Sequence, residues 1–456
     1  MLFPTFTFIL GFLPITVLIY YLLVKQSILA ARIWLIIASL VFYSWFNWSY
    51  FFIIAFSIVI NHFFAMLLYR FRSRVLLTLG IICNILLLGY FKYYDFFVEN
   101  INALFQTSWT LKHILLPLGI SFFTFQQISF LQQVFAGTLS KRYSFSNYCL
   151  FVCFFPQLIA GPIVLPDEMM SQFDDPASKK ANSSNIAAGI YIFALGMAKK
   201  ILLADFFAKL ADSGFAACGE NIYSAWSSVL AYTFQIYFDF SGYCDMAIGI
   251  ALLFNIKLPI NFNAPYRAEN IADFWRRWHI TLGRFLMTSV YIPLGGNRCG
   301  KFRTCVNLML TFFISGLWHG ASWLFVLWGI LHGAALTIHR IWSKYLKLSM
   351  PRIAGRILTF LFVMLAWVPF RAENWNIAKN IYRGMFMPND WSLPTYAPLD
   401  MLLFATGVVI VLFFKPVCEV EKSFRPTWIR AIIATALIAS SMFCFVKYSP
   451  FIYFNF

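Results

Sequence analysis

A chain of 456 residues that is 61% hydrophobic and 20% aromatic, with only 12% charged residues, is too apolar for a soluble enzyme. Soluble domains carry roughly 25% charged residues, and the mean hydropathy of +0.73 points the same way. The net charge of +17 sits in short Lys/Arg groups between apolar runs. That is the pattern of cytoplasmic loops under the positive-inside rule, not the continuous basic face that nucleic acid requires. No long polar stretch is present to fold separately, so residues 1–456 are read as a single membrane domain.

The N-terminus, MLFPTFTFILGFLPITVLIYYLL, lacks a basic start and a small-residue cleavage site, so it reads as a retained first span. A span needs about 20 apolar residues. Such runs fall near 5–24, 32–48, 50–69, 75–93, 112–135, 147–165, 186–208, 225–254, 304–343 (two, broken around Trp318-His319-Gly320), 354–370, 400–415 and 428–447. With some segments re-entrant, the expectation is roughly 12 crossings, an all-α integral membrane protein. Basic loops at Lys25–Arg32, Arg70–Arg74 and Lys141-Arg142 alternate with stretches poor in Lys and Arg, which places residue 1 outside the cytoplasm. Lys415, Lys422, Arg425 and Arg430 mark a last cytoplasmic loop, so 428–456 is read as a final span and an extracytoplasmic aromatic tail. Gly161-Pro162 and Gly295-Gly296 read as backbone breaks. The nine cysteines contain no C-x-x-C and lie mostly in apolar runs, which argues for small buried hydrophobes over disulfides or zinc.

Residues 259–301 differ from the rest. LPINFNAPYRAENIADFWRRWHITLGRF is too polar to span a bilayer. Asp273 and Arg277 are spaced for i,i+4 pairing on a short helix, and polar backbone at membrane depth needs protein or a wet cavity around it. The reading is a cytoplasm-facing re-entrant or interfacial element. Its Arg276, Arg277, Trp275 and Trp278 are candidates to hold an anionic ligand, with plain charge anchoring as the alternative. Lys199-Lys200 carry the same ambiguity. Asp239 and Asp245 sit in an apolar span and need partners, an Arg or a polar cavity.

Histidines carry the chemistry. His319, within FFISGLWHGASWLFVLWGILHGAALTIHR, is an ionisable group in a segment apolar enough to span, and so a functional candidate. His279 follows the FWRRW cluster. His332, thirteen residues beyond His319, is about 220° around a helix and is expected to face elsewhere; His339 reads as a solvated or headgroup residue. Their spacing suits no metal site.

The stretches LPLGISFFTFQQISF (116–130), FPQLIAGPIV (155–164), YFDFSGYCDMAIGIALLFNIKLPINFNAPY (237–266), DFWRRWHITL (273–282), YIPLGGNR (291–298), WHGASWLFVLWGILHG (318–333) and WVPFRAEN (367–374) occur in order over nearly the whole chain. Together they resemble the membrane-bound O-acyltransferases, specifically the bacterial alginate and peptidoglycan O-acetylation branch and its teichoic-acid D-alanylation relatives. One departure is Thr288-Ser289, where alginate-type proteins carry Arg-Asp. The resemblance implies helices around a central funnel or tunnel in the bacterial cytoplasmic (inner) membrane. It implies His319 as the catalytic base and His279 as a second site residue that polarises a carbonyl or orients other groups. No cofactor is bound permanently; acetyl-coenzyme A would be the acyl donor. A cell-envelope polysaccharide would be the acceptor and a separate extracytoplasmic acetyltransferase the partner. The aromatic ending, with Phe451, Tyr453 and Phe456 in an F-x-Y-x-x-F pattern, resembles the tail of the one-span protein that accompanies the D-alanylation acyltransferase. Tyr453 is thereby a candidate acyl carrier. A second reading, a transporter or flippase of a lipid-linked sugar or acyl donor with histidines as proton relays, lacks the two matched halves with broken helices such proteins often show.

Overall fold

The computed structural model describes residues 1–175, 180–217, 221–387, 398–445 and 451–452, and these are helical with no β-strand. Among the described residues seven helices are long and apolar enough to cross a membrane: Thr7–Val24, Ser49–Phe71, Arg74–Phe105, Ser183–Ala216, Ile222–Leu253, Trp323–Tyr345 and Arg352–Arg371. Three shorter apolar helices, Ile28–Ser44, Asp400–Phe413 and Trp428–Cys444, join them.

The runs near 112–135 and 147–165 are not continuous helices. The first becomes helical only at Ile120, because Pro117 precedes Gly119, whose φ of +70° is left-handed. The second divides into Phe145–Cys153 and Phe155–Leu158, with irregular backbone through Gly161-Pro162. Apolar content alone does not separate a span from a buried, broken segment of this kind.

The chain forms two compact units. The first comprises 1–195, 244–259 and 425–442. Inside it, several polar groups in apolar helices are paired, as an environment without water favours. Asn61 and Asn84 exchange amide hydrogen bonds of 3.2 and 2.6 Å, and Gln127 donates to Ser57 while accepting from Tyr148. Arg32 is ion-paired with Asp174, which also receives Lys141 at 2.9 Å.

The second unit comprises 196–243, 260–424 and 443–456. Its polar stretch folds as two short helices, Ile271–Arg277 and Ile280–Leu286. Asn270 caps the first by accepting from Asp273 N–H, and the anticipated Asp273–Arg277 pair forms at 2.9 Å. All the histidines discussed below lie in this unit.

Candidate functional site

His319 is the last residue of the Lys301–His319 helix, and Gly320 beyond it is extended. The following helix, Trp323–Arg340, starts after Ser322, whose hydroxyl accepts from Leu324 N–H. The expected break is therefore real, and it turns the chain into a tight hairpin. The crossing depends on Gly316 and Gly329. A Cβ would lie 2.4 Å from the Phe325 carbonyl oxygen at the first and 2.3 Å from that of Phe312 at the second. Small residues at such a crossing let two backbones touch. His319 is consequently 2% exposed. Its ring meets Trp318 at 4.8 Å, Trp328 at 4.8 Å and Phe370 at 5.2 Å.

His279 joins the two short helices in a left-handed conformation (φ 44°) and is fully buried. Its Nδ1 is 3.2 Å from Asn261 Oδ1. The same Asn261 atom accepts from the backbone N–H and hydroxyl of Thr281. A backbone N–H can only donate, so this atom is the amide oxygen, and His279 Nδ1 must carry the hydrogen. Nε2 is then the basic nitrogen. Burial pushes the His279 pKa down from 6.5 to about 3, so the ring is neutral at ordinary pH. Polarising a carbonyl would require a hydrogen on Nε2; this tautomer offers an acceptor there, which suits orienting a donor. The ring packs edge-on against Phe240 at 4.8 Å and lies 6.1 Å from Trp318. Trp318 thus neighbours both imidazoles.

His332 does not face elsewhere. A rotation of about 220° holds only for one continuous helix from 319 to 332, and the chain breaks between the two helices at Gly320–Ser322. His332 is fully buried, with Nδ1 accepting from Trp275 Nε1 at 3.2 Å. Its ring lies 4.8 Å from that of Trp328, the indole that also packs on His319.

The four residues read as ligand holders separate into two kinds. Trp278, 1% exposed, is a core residue among Phe262, Phe274 and Trp367. Trp275 is half-buried and committed to His332. Arg277 is held by Asp273 and by the Asn263 carbonyl. Arg276 is the accessible one, with 72% of its side chain exposed and Asp273 at 3.8 Å. Asp239 pairs with Lys200 at 2.6 Å, so its partner is a lysine and not an arginine. Tyr453 lies outside the described residues, whereas Phe451 and Ile452 just before it are buried. Sequence reasoning passed over Asn261, Trp328 and Phe370. Asn261 reads as an ordinary loop amide eighteen residues from its histidine, and the two rings look like any membrane aromatics.

A model of the membrane-bound O-acyltransferase family matches residues 40–376. The chain is 42% identical to a peptidoglycan O-acetyltransferase of Helicobacter pylori (strain ATCC 700392 / 26695), across 100% of this chain and 98% of that protein. It is 37% identical to a probable alginate O-acetylase of Pseudomonas aeruginosa, across 91% of this chain and 80% of the relative. A teichoic acid D-alanyltransferase of Streptococcus thermophilus is 27% identical over 50% of this chain and 58% of its own length.

Proposed function

The chain belongs to the membrane-bound O-acyltransferase family, and from that premise we propose that this multi-pass acyltransferase moves acetyl groups from cytoplasmic acetyl-coenzyme A to a cell-envelope polysaccharide. Peptidoglycan and alginate are the acceptor classes that its relatives' names suggest. The observation that carries the proposal is the pair of buried imidazoles, His319 and His279, meeting at Trp318.

In the proposed step a hydroxyl oxygen attacks the thioester carbonyl while His319 takes its proton. The carbon–sulfur bond breaks, and the proton passes to the departing coenzyme A thiolate. His279 Nε2 accepts a hydrogen bond that orients the reacting group. Arg276 contacts the donor's phosphates, supported by Trp275 and Arg277 behind it, while Trp278 holds the short helix in place. The first acceptor is the Tyr453 phenol; a separate extracytoplasmic transferase then moves the acetyl group from it to the polymer. A phenol with pKa near 10 needs a base to attack and leaves readily, which suits a relay. The setting is the bacterial cytoplasmic membrane with both termini outside.

His319→Ala tests the core of this reading. Thiol release from acetyl-coenzyme A and polymer acetylation should both fall about 10²–10⁴-fold with membrane insertion intact. Wild-type acetylation by a well-expressed variant would remove His319 from the chemistry. Tyr453→Phe keeps the ring and deletes the hydroxyl, so normal acetylation by that variant would end the relay.

A further inference from the structure

Within the second unit one lysine and two aspartates form an ion-pair cluster. Lys200, 2% exposed, places Nζ 2.6 Å from Asp239 Oδ1 and 2.8 Å from Asp205 Oδ1. The helices that carry Lys200 and Asp239 touch at Gly242, where a Cβ would lie 2.7 Å from the Gly196 carbonyl oxygen. Taking charges out of solvent is expensive, and a pair of this kind contributes little net stability. In an apolar span such a group usually has a function.

What else this pair touches is the chain's own end. Asp239 Oδ2 accepts the Ile452 backbone N–H at 2.8 Å, from 213 residues away. Lys200 Nζ stands 4.8 Å over the ring of Phe451, and the same ring meets Tyr243 edge-on at 4.5 Å. Phe451 is 1% exposed and Ile452 9%. The carboxylate therefore divides its two oxygens between the lysine and the terminal segment. Terminal residues fray unless something ties them down; here a charge-assisted hydrogen bond and a desolvated cation–π contact do so. One residue further along the same helix, Phe240 packs its ring on His279.

We infer that Lys200 and Asp239 form the seat of the C-terminal segment and act as positioning residues for acyl transfer. The seat stands on its contacts alone, and the positioning role rests on the relay reading above. Holding the Ile452 amide anchors the chain one residue before Tyr453 in sequence.

The experiment uses the full chain in lipid nanodiscs. Lys200→Met with Asp239→Leu removes two members of the cluster together, which folded interiors tolerate better than the loss of one charge, and it leaves Asp205 with 21% of its side chain exposed to solvent. Phe451→Ala loosens the tail from its own side and leaves the pair intact, so it decides the matter should the double variant fail to fold. Hydrogen exchange of the C-terminal peptide should accelerate about tenfold or more in both. Acetylation kcat should drop about tenfold while KM for acetyl-coenzyme A stays within about twofold, because the donor site is untouched. Unchanged tail protection in a folded double variant and in Phe451→Ala overturns the seat. Lost protection with normal kcat overturns the positioning role. Tyr453→Phe run alongside keeps the readings apart, since its normal acetylation would refute the relay while tail protection still decides the seat.

Discussion

At residue scale the site turns on which nitrogen carries a proton. His279 is held by Asn261 so that Nε2 accepts, and its backbone is left-handed. Asn tolerates that conformation better than other non-glycine residues, and its amide oxygen can also accept. His279→Asn should therefore fold and keep transfer within about tenfold of wild type; a loss as deep as that of His319→Ala would show that a proton moves at position 279. The same residue sets a pH signature. Burial lowers its pKa from 6.5 to about 3, so between those values the unfolded chain binds a proton that the folded chain refuses. Stability from this group is complete above pH 6.5 and is lost as pH falls toward 3, by up to about 1.4 kcal/mol per pH unit. Acid melting curves of wild type should therefore drop more steeply than those of His279→Asn; parallel curves would mean the ring is protonated when folded. The two arginines divide similarly. Arg276→Gln should raise KM for acetyl-coenzyme A with little change in kcat, the mark of uniform binding. Arg277→Gln should mainly lower stability, by about 0.5 kcal/mol, through loss of its Asp273 pair. Equal KM effects would make both arginines donor contacts.

At the scale of elements, the hairpin that presents His319 depends on two backbones in contact. Gly329→Leu puts carbon against the Phe312 carbonyl oxygen, which cannot swing aside as a side chain would. Overpacking of this kind costs about 1–3 kcal/mol or more, so the solubilised variant should melt several degrees lower and lose activity with its fold. An unchanged melting temperature would mean the crossing is looser than the geometry states. The break that makes the hairpin was legible, because Trp-His-Gly interrupts an otherwise continuous apolar run. So was the short amphipathic helix before His279, from its Asp273–Arg277 spacing. The position of His332 was not, since its rotation relative to His319 depends on a turn whose geometry no periodicity encodes. Nor were the true limits of 112–135 and 147–165. There the apolar content continues while Pro117, Gly119 and Gly161-Pro162 interrupt the helix, and hydropathy is blind to that difference.

At the scale of the whole molecule, composition announced a bilayer protein but left the purpose of so many rings unstated. Some face outward, as Trp428 does at 88% exposure, where lipid is the natural surrounding. Others enclose His319: Trp318, Trp328 and Phe370 cover its ring on several sides. The consequence concerns what the enzyme must not do. An activated thioester beside a base is open to hydrolysis, which would spend donor and release acetate without modifying any polymer. In the proposed mechanism a base ringed by indoles and phenyls withholds its lone pair from stray water while a positioned hydroxyl can still reach it. With no polymer present, the proposed relay should load Tyr453 once and then stop, with the remaining donor intact. Phe370→Leu thins this wall next to His319 at modest packing cost, so acetate should appear in acceptor-free mixtures at a rate well above that of wild type. No such leak from a folded variant would mean that the barrier to water lies elsewhere. In the proposed mechanism the three rings around His319 are insulation, and transfer stays coupled to the polymer because that nitrogen is kept dry.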